Sequence, residues 1–289
     1  MGFLSVFSRA NVGSALVVFG WIGHLDAASV WKVTAPDGGT LYLGGSIHAL
    51  QSSDYPLPAA YNRAFDASTH LSFEVDRKAL LQSSKGLGKA GQYSPGDNLR
   101  KHVDPRTYAY LVRLFRLLNV PEQTLSKFRP WYLAVLLQAP SLRGLSEELG
   151  VEEFLYKRAQ ANSKPVTGLE TAREHMEIFS RLTDRQSEAM LLLMFLPADK
   201  DSDEGARLRN AWRRGDPDTD TRIFIDGFRD FPSLGERLLA ARNRKWIPRI
   251  DNYLHSGRTY FVVVGAAHMG GPEGLLALLG ARGYKIEQL

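Results

Sequence analysis

The sequence predicts an α/β protein in which a central mixed sheet is built from the N- and C-terminal segments, with a large helical insertion between them. Strand-like and helix-like patterns alternate at both ends of the 289-residue chain, which is typical of α/β folds. Between them, about residues 100–255 carry mainly the 3.6-residue spacing of amphipathic helices. The run "YFVVVG" is continuously apolar, as expected of a strand buried on both faces of a sheet.

The N-terminal segment predicts a hairpin, a helix and a third strand. "VWKVTAPDGGTLYLGG" holds two strand patterns joined by "PDGG", a strong turn signal. Prolines then precede the helical pattern "AAYNRAF", and "LSFEVD" alternates as a strand with Glu74 near its C-terminal end. Residues 78–98, which are rich in Gly, Ser and Lys, predict an irregular connection.

The C-terminal segment completes the predicted sheet. A short strand in "KPVTGLET" interrupts the helices of the insertion, and "YFVVVG" follows them. "PEGLLALLGARG" predicts a helix that begins after a proline and ends near a glycine, and "YKIEQL" predicts a last strand. Together these elements predict one domain over residues 29–289, with the insertion at about 100–255.

The composition excludes several classes of site and partner. The chain has no cysteine, which excludes disulfides, thiolate zinc sites and a cysteine nucleophile. The basic residues behind the net charge of +5 are spread among acidic residues rather than massed in one block. We therefore expect no nucleic-acid partner.

The first 28 residues predict a signal peptide. Arg9 precedes an apolar stretch at residues 12–22, and small residues follow at Ala27 and Ala28, near which cleavage is expected. The apolar stretch is shorter than the roughly 20 residues of a membrane-spanning helix. An uncleaved N-terminal anchor is the alternative, and it would allow membrane association. In either case we expect the mature domain to be periplasmic or secreted.

Two predicted strands end in a glycine that is followed, three residues later, by a histidine. Gly45 precedes His48 in "YLGGSIHAL", and Gly265 precedes His268 in "FVVVGAAH". Glycine lets the backbone turn tightly and leaves room for a ligand, and ligands of α/β sheets gather where strands end. The two histidines and Glu74 could therefore hold one divalent ion with an open position for water. On the pattern alone, ordinary polar residues at strand ends are an equal alternative.

Fragments over nearly the whole mature chain carry a family resemblance: "YLGGSIHAL", "LSFEVD", "GVEEFL", "KPVTGLET", "ARNRKW" and "FVVVGAAHMGGPEGLLALL". In this order they resemble the TraB/GumN family, to which the Tiki membrane metalloproteases are related. The resemblance implies that the family's two Gly-x-x-His motifs end here at His48 and His268, and that Glu74 is its acidic residue. It also implies a divalent-metal-dependent hydrolase, which acts on peptides in the Tiki relatives.

Two further residues are candidate catalytic groups. Glu170 in "GLET" fits a further ligand or a general base, and it fits equally a carboxylate that stabilises a helix N-terminus. Arg242 in "ARNRKW" fits a group that stabilises an oxyanion or binds a substrate carboxylate. Its alternative is a surface salt bridge on an amphipathic helix. Which carboxylate serves as ligand and which as base stays open.

The sequence therefore predicts a metal-dependent hydrolase outside the cytoplasm. Its ion, Mn, Co or Zn, would activate water for attack on the amide or ester carbonyl of a peptide or small-molecule substrate. Two alternatives stay open. One is a haem- or metal-binding protein of the ChaN-like type, and the other is a metal-free esterase that uses His48 as a general base.

Overall fold

The computed structural model describes residues 27–117, 119–137, 145–193, 195 and 204–289. Residues 1–26, which contain nearly all of the predicted signal peptide, lie outside this part of the chain. None of the described helices has both the length and the apolar character needed to span a membrane.

A six-stranded mixed sheet forms the centre of the molecule, as the sequence predicts. Its strands are β1 (Val30–Thr34), β2 (Thr40–Ser46), β3 (His70–Val75), β4 (Val166–Glu170), β5 (Tyr260–Gly265) and β6 (Lys285–Gln288). They lie in the order β4-β3-β5-β2-β1-β6. Strands β4, β3, β5 and β2 run parallel, while β1 is antiparallel to both β2 and β6. β4 comes from the insertion, and the other strands come from the two ends of the chain.

Helices cover the sheet and build the insertion. In the described part of the chain they are α1 (Ala59–Ala67), α2 (Arg77–Ala90), α3 (Pro105–Leu117), α4 (Glu122–Leu125), α5 (Pro130–Leu137), α6 (Val151–Ala161), α7 (Ala172–Ser180), α8 (Asp184–Leu193), α9 (Glu204–Arg214), α10 (Pro217–Gly227), α11 (Pro232–Leu238), α12 (Ala240–Leu254) and α13 (Leu275–Gly280).

Helices pack on both faces of the sheet, and the side chains of β5 alternate between them. Phe261 and Val263 pack with α1 and α6, whereas Val262 and Val264 pack with α12 and α13. All four side chains are fully buried, which explains why this strand is apolar at every position. A further apolar cluster lies within the insertion, where α3, α5 and α8 meet.

The prediction of an irregular connection over residues 78–98 is wrong for its first half, because α2 occupies Arg77–Ala90. The Asp76 carboxylate accepts hydrogen bonds from the backbone N–H groups of Lys78 and Ala79 at 2.8 and 3.2 Å. These bonds cap the N-terminus of the helix, and α2 packs against α7. Capping and packing outweigh the low helix propensity of Gly in this stretch.

The two Gly-x-x-His motifs leave the sheet side by side, because β2 and β5 are parallel neighbours with Ser46 opposite Gly265. Gly45 lies within β2, so the prediction that it turns the chain is wrong. A Cβ on Gly45 would lie 3.2 Å from the Cα and Cβ of Ala266. Glycine at this position therefore lets the two motifs pack closely.

The loop after β2 (residues 47–50) is held by residues 146–151, which lead into α6. Backbone hydrogen bonds join Leu50 and Ser146 in both directions, at 3.2 and 2.9 Å. Gly150 lies so close to this loop that a Cβ would be 2.2 Å from the carbonyl oxygen of His48. The position of the first histidine motif therefore depends on the absence of a side chain at Gly150.

We expect Gly150→Ala to lower the free energy of unfolding by about 1–3 kcal/mol, because the new methyl group overlaps a backbone oxygen that moves only with its loop. Urea denaturation followed by circular dichroism measures the change. Gly227→Ala at the end of α10 is the control, because a Cβ there meets nothing within 4 Å. The control should match or exceed the stability of the wild type. Equal stability of the two variants would contradict the contact.

Candidate functional site

Polar side chains collect at the carboxyl edge of the parallel strands. Glu74 lies near the end of β3, Glu170 ends β4, and His268 lies in the short 3-10 turn that follows β5. Arg242 reaches them from α12, at the end of the insertion. The structure thus brings four of the predicted site residues together, and their side chains are all largely buried.

Arg242 forms ion pairs with both carboxylates. Its Nη2 donates to Glu74 Oε2 at 2.6 Å, and its Nε and Nη2 donate to the two oxygens of Glu170 at 2.8 and 3.0 Å. Arg242 is only 9% exposed, so these bonds replace the water that would otherwise solvate its charge. Bidentate pairing fixes the plane of the guanidinium as well as its position.

Both carboxylates are ionised at neutral pH. Burial acts to raise the pKa of Glu74, but the positive charge of Arg242, together with smaller contributions from His268, His48 and the Gly265 N–H, holds that pKa well below the usual range. Glu74 also accepts a hydrogen bond from the Gly265 N–H at 2.8 Å. Burial likewise acts to raise the pKa of Glu170, and the hydrogen bonds from His175 and Arg242 bring it below its usual value.

Glu170 is held by three side chains. Besides Arg242, it accepts a hydrogen bond from Trp246 Nε1 at 3.0 Å, and His175 Nδ1 lies 3.1 Å away. Trp246 is completely buried. Its ring lies 4.5 Å from the His268 ring and 4.6 Å from the guanidinium carbon of Arg242. Glu170 and Trp246 together therefore set the position of Arg242.

Asn243 fixes the tautomer of His268. Its Nδ2 donates to the carbonyls of His268 and Glu273 at 3.2 and 2.8 Å, so its Oδ1 is the atom that lies 2.6 Å from His268 Nδ1. Nδ1 must carry the proton, and Nε2 has the lone pair. Nε2 lies 3.7 Å from Glu74 Oε1 and 3.4 Å from Arg242 Nη1. Burial lowers the pKa of His268 to about 4, so the ring is neutral at pH 7.

His48 belongs to the same edge but has a different environment. Its side chain is 71% exposed, and its Nδ1 lies 3.1 Å from Glu152 Oε2. The negative charge of Glu152 raises the pKa of His48 to about 9. In the described structure its hydrogen-bond partner is thus Glu152 rather than one of the other predicted site residues. Its charge still influences the pKa values of Glu74 and His268, so both motifs share one electrostatic environment.

The donor atoms fit a divalent ion in their chemistry. His268 presents an unprotonated Nε2 near a carboxylate oxygen of Glu74, and an oxygen acceptor on the other ring nitrogen is the usual support of a metal-bound histidine. The cluster of Glu74, Glu170 and Arg242 carries one net negative charge, which favours an added cation. Among the described residues, no three His, Cys, Asp or Glu side chains are already arranged to hold one.

Three side chains of the site are not among the site residues predicted from the sequence. These are Trp246, His175 and Glu152. Their positions along the chain still carry a signal. Trp246 lies one helical turn after Arg242, so the two side chains share a helix face. Glu152 lies in the first turn of α6, two residues after the glycine that approaches the first histidine motif.

The fold and the site define an α/β protein with a buried arginine–carboxylate–histidine cluster at the carboxyl edge of its parallel strands. The sequence model of the TraB/PrgY/gumN family matches residues 29–288, and the chain belongs to this family. The family resemblance read from the sequence is confirmed.

Two curated relatives match most of the chain at low identity. An uncharacterized protein of Treponema pallidum (strain Nichols) is 23% identical over 276 residues, which cover 87% of this chain and 80% of the relative. The uncharacterized protein YbaP of Escherichia coli (strain K12) is 23% identical over 249 residues, which cover 86% of this chain and 90% of the relative. No solved structure matches the chain significantly.

We expect Arg242→Met to lower the free energy of unfolding at pH 7 by about 3–5 kcal/mol, because it leaves two buried carboxylates without a counter-charge. Arg244→Met in the same helix is the control. Arg244 is about half exposed and pairs with Glu236 and Glu273 at the surface, so its loss should cost about 1 kcal/mol or less. Urea denaturation of the wild type and of the two variants measures both changes in the free energy of unfolding.

The pKa values of the two carboxylates determine how the free energy of unfolding changes with pH. Glu74 and Glu170 have lower pKa values in the folded chain than the usual 4.5, so their pairing with Arg242 stabilises the fold above pH 4.5. That stability is lost as the pH falls through the folded values. In Arg242→Met the unpaired buried carboxylates instead take up protons more readily. The stability difference between the wild type and this variant should therefore shrink from pH 7 to pH 3.5. A constant difference would contradict the ion pairs.

Proposed function

We propose that this protein is a divalent-metal-dependent hydrolase that acts outside the cytoplasm on the amide or ester carbonyl of peptides or small molecules. The observation that carries the proposal is the environment of His268. Its Nδ1 is bound to Asn243, so its Nε2 lone pair is held 3.7 Å from Glu74 Oε1, beside the guanidinium of Arg242. An imidazole lone pair, a carboxylate and a cation in a buried setting are groups that carbonyl hydrolysis uses.

His48, Glu74 and His268 would hold the ion, and Mn, Co and Zn suit this mixture of imidazole and carboxylate donors. An ion of this kind, when bound, supplies an activated water and polarises the carbonyl of the substrate. The side chain of His48 is exposed, whereas those of Glu74 and His268 are buried. A substrate would therefore approach from the side of His48.

The charged side chains of the chain support the same chemistry. Arg242 directs its Nε and Nη2 at the carboxylates, and its Nη1 lies beside His268 Nε2, where it can donate to a developing oxyanion. Glu170 is engaged by three side chains, so it serves to position Arg242. Glu74, whose Oε1 faces His268, is the better candidate to bind the ion or to move a proton.

A metal-free esterase is the second candidate, and one contact favours it. Glu152 Oε2 lies 3.1 Å from His48 Nδ1, which is how a carboxylate orients a histidine that acts as a general base. In this case His48 would activate water directly at pH values above about 9, where its ring is neutral, and Arg242 would again stabilise the oxyanion.

We expect hydrolysis to require the ion. Protein treated with a chelator should cleave neither a p-nitrophenyl ester nor a fluorogenic peptide, and added Mn²⁺ or Co²⁺ should restore activity. His268→Ala and Glu74→Gln should each reduce kcat/KM by about 100-fold or more, because each removes a donor from the site. His255→Ala is the control, because His255 is an exposed histidine beside Asp37. It should keep full activity.

The same assay separates the alternatives. Activity that survives the chelator and His268→Ala but is lost in His48→Ala would support the esterase. A Soret band on haem titration would support the haem-binding alternative. Activity that none of these variants reduces would contradict the site itself.

The proposed location depends on residues 1–28. We expect the full chain, expressed in a Gram-negative host, to be recovered from the periplasm after cleavage near Ala27 or Ala28, with the new N-terminus read by mass spectrometry. A chain that begins at Ser29 is the control and should stay in the cytosol. Uncleaved protein in the membrane fraction would support an N-terminal anchor. Full-length protein in the cytosol would contradict both readings.

A further inference from the structure

We propose that Glu152 is a positioning residue for the site: its carboxylate holds Nδ1 of His48, so that the ring presents Nε2 to the reacting groups. The catalytic value of this contact rests on the proposed function. The contact itself predicts the protonation of a single ring, and that can be measured without any substrate.

The carboxylate of Glu152 is fixed at both of its oxygens. Oε1 accepts a hydrogen bond from Ser46 Oγ at 2.8 Å, and Oε2 lies 3.1 Å from His48 Nδ1. Ser46 is the buried last residue of β2 and is only 4% exposed. A carboxylate that is anchored by a buried strand residue has little freedom to turn away from the histidine, although His48 itself is exposed.

The backbone holds Glu152 at a constant distance from the histidine loop. The N–H of Val151, its neighbour in α6, donates to the Ile47 carbonyl at 3.1 Å. Gly150, one residue earlier, touches the carbonyl of His48 so closely that no side chain fits. Backbone contacts therefore join the start of α6 directly to the loop after β2. An element that only covered the loop would not need a carboxylate at this position.

The second motif shows the same arrangement with different residues. Asn243 Oδ1, from α12, accepts the proton of His268 Nδ1 at 2.6 Å, as Glu152, from α6, does for His48. Both motif histidines are thus held through Nδ1 by a helix, and both have Nε2 as the remaining nitrogen. A free neutral imidazole prefers its proton on Nε2, so the hydrogen bond to Nδ1 decides the tautomer. Two unrelated helices that impose one tautomer indicate that Nε2 is the functional atom in each ring.

The neighbouring Glu153 supplies a matched control. It lies in the same helical turn and carries the same charge, but it pairs with Arg77 and Lys157. Glu153→Ala therefore removes a carboxylate from the start of α6 without touching His48. Glu152→Gln is the conservative variant, because its side-chain oxygen can still accept a proton from Nδ1.

The test is long-range ¹H–¹⁵N NMR of histidine-labelled protein, recorded above the titration of His48, where its ring is neutral. We expect His48 to carry its proton on Nδ1 in the wild type, in Glu152→Gln and in Glu153→Ala. In Glu152→Ala the proton should move to Nε2. A wild-type ring protonated on Nε2 would overturn the proposal without any variant, as would a Glu152→Ala spectrum identical to that of the wild type.

Calorimetric titration with Co²⁺ separates this inference from the proposed function. Loss of a residue that orients a ligand typically lowers metal affinity or activity about 10–100-fold, and we expect this for Glu152→Ala but not for Glu153→Ala. Wild-type protein that binds no Co²⁺ yet shows the expected tautomers would contradict the metal site and leave the positioning role supported. Co²⁺ binding that is equal in the wild type and in Glu152→Ala would overturn the positioning role alone.

Discussion

The guanidinium of Arg242 is the interaction on which the rest of the site depends. Two carboxylates enter the interior at the ends of β3 and β4, and neither could stay ionised there without a positive partner. Because Arg242 comes from α12, its ion pairs with Glu74 and Glu170 also tie the end of the insertion to the sheet. Glu74 in turn holds the second histidine motif, because its other carboxylate oxygen accepts a hydrogen bond from the N–H of Gly265.

The two histidine motifs are alike in sequence but not in electrostatics. Parallel pairing of β2 with β5 places them side by side, yet one ring is buried and the other is exposed. A neutral amide, Asn243, supports His268, and burial keeps that ring uncharged. A carboxylate, Glu152, supports His48 and favours its charged form. The site therefore joins a buried neutral imidazole to an exposed, more basic one.

Local sequence patterns predict the sheet well. Each strand either alternates between apolar and polar residues or is a short, continuously apolar run, and both patterns are visible within a few residues. The family fragments also predict Glu74 and His268 as site residues, and the structure brings these two side chains together. The rest depends on contacts between distant segments. Glu152 and His48 are 104 residues apart, and neither stretch of sequence contains a pattern that predicts their contact. The prediction for α2 fails for a different reason. The sequence contains the capping residue Asp76, but the glycines that follow it are typical of a loop. The predicted turn at Gly45 is wrong, because the residue lies within β2 and packs closely against Ala266.

Anomalous diffraction from crystals grown with Mn²⁺ or Co²⁺ tests the central claim most directly, because it locates the ion without an assay. We expect one peak within about 2.2 Å of His268 Nε2 and of a carboxylate oxygen of Glu74, with Arg242 still paired to Glu170. We also expect His268 Nδ1 to stay bound to Asn243. A well-ordered site with no peak, or a peak whose ligands include neither His268 nor Glu74, would contradict a metal site assembled from the two ends of the chain.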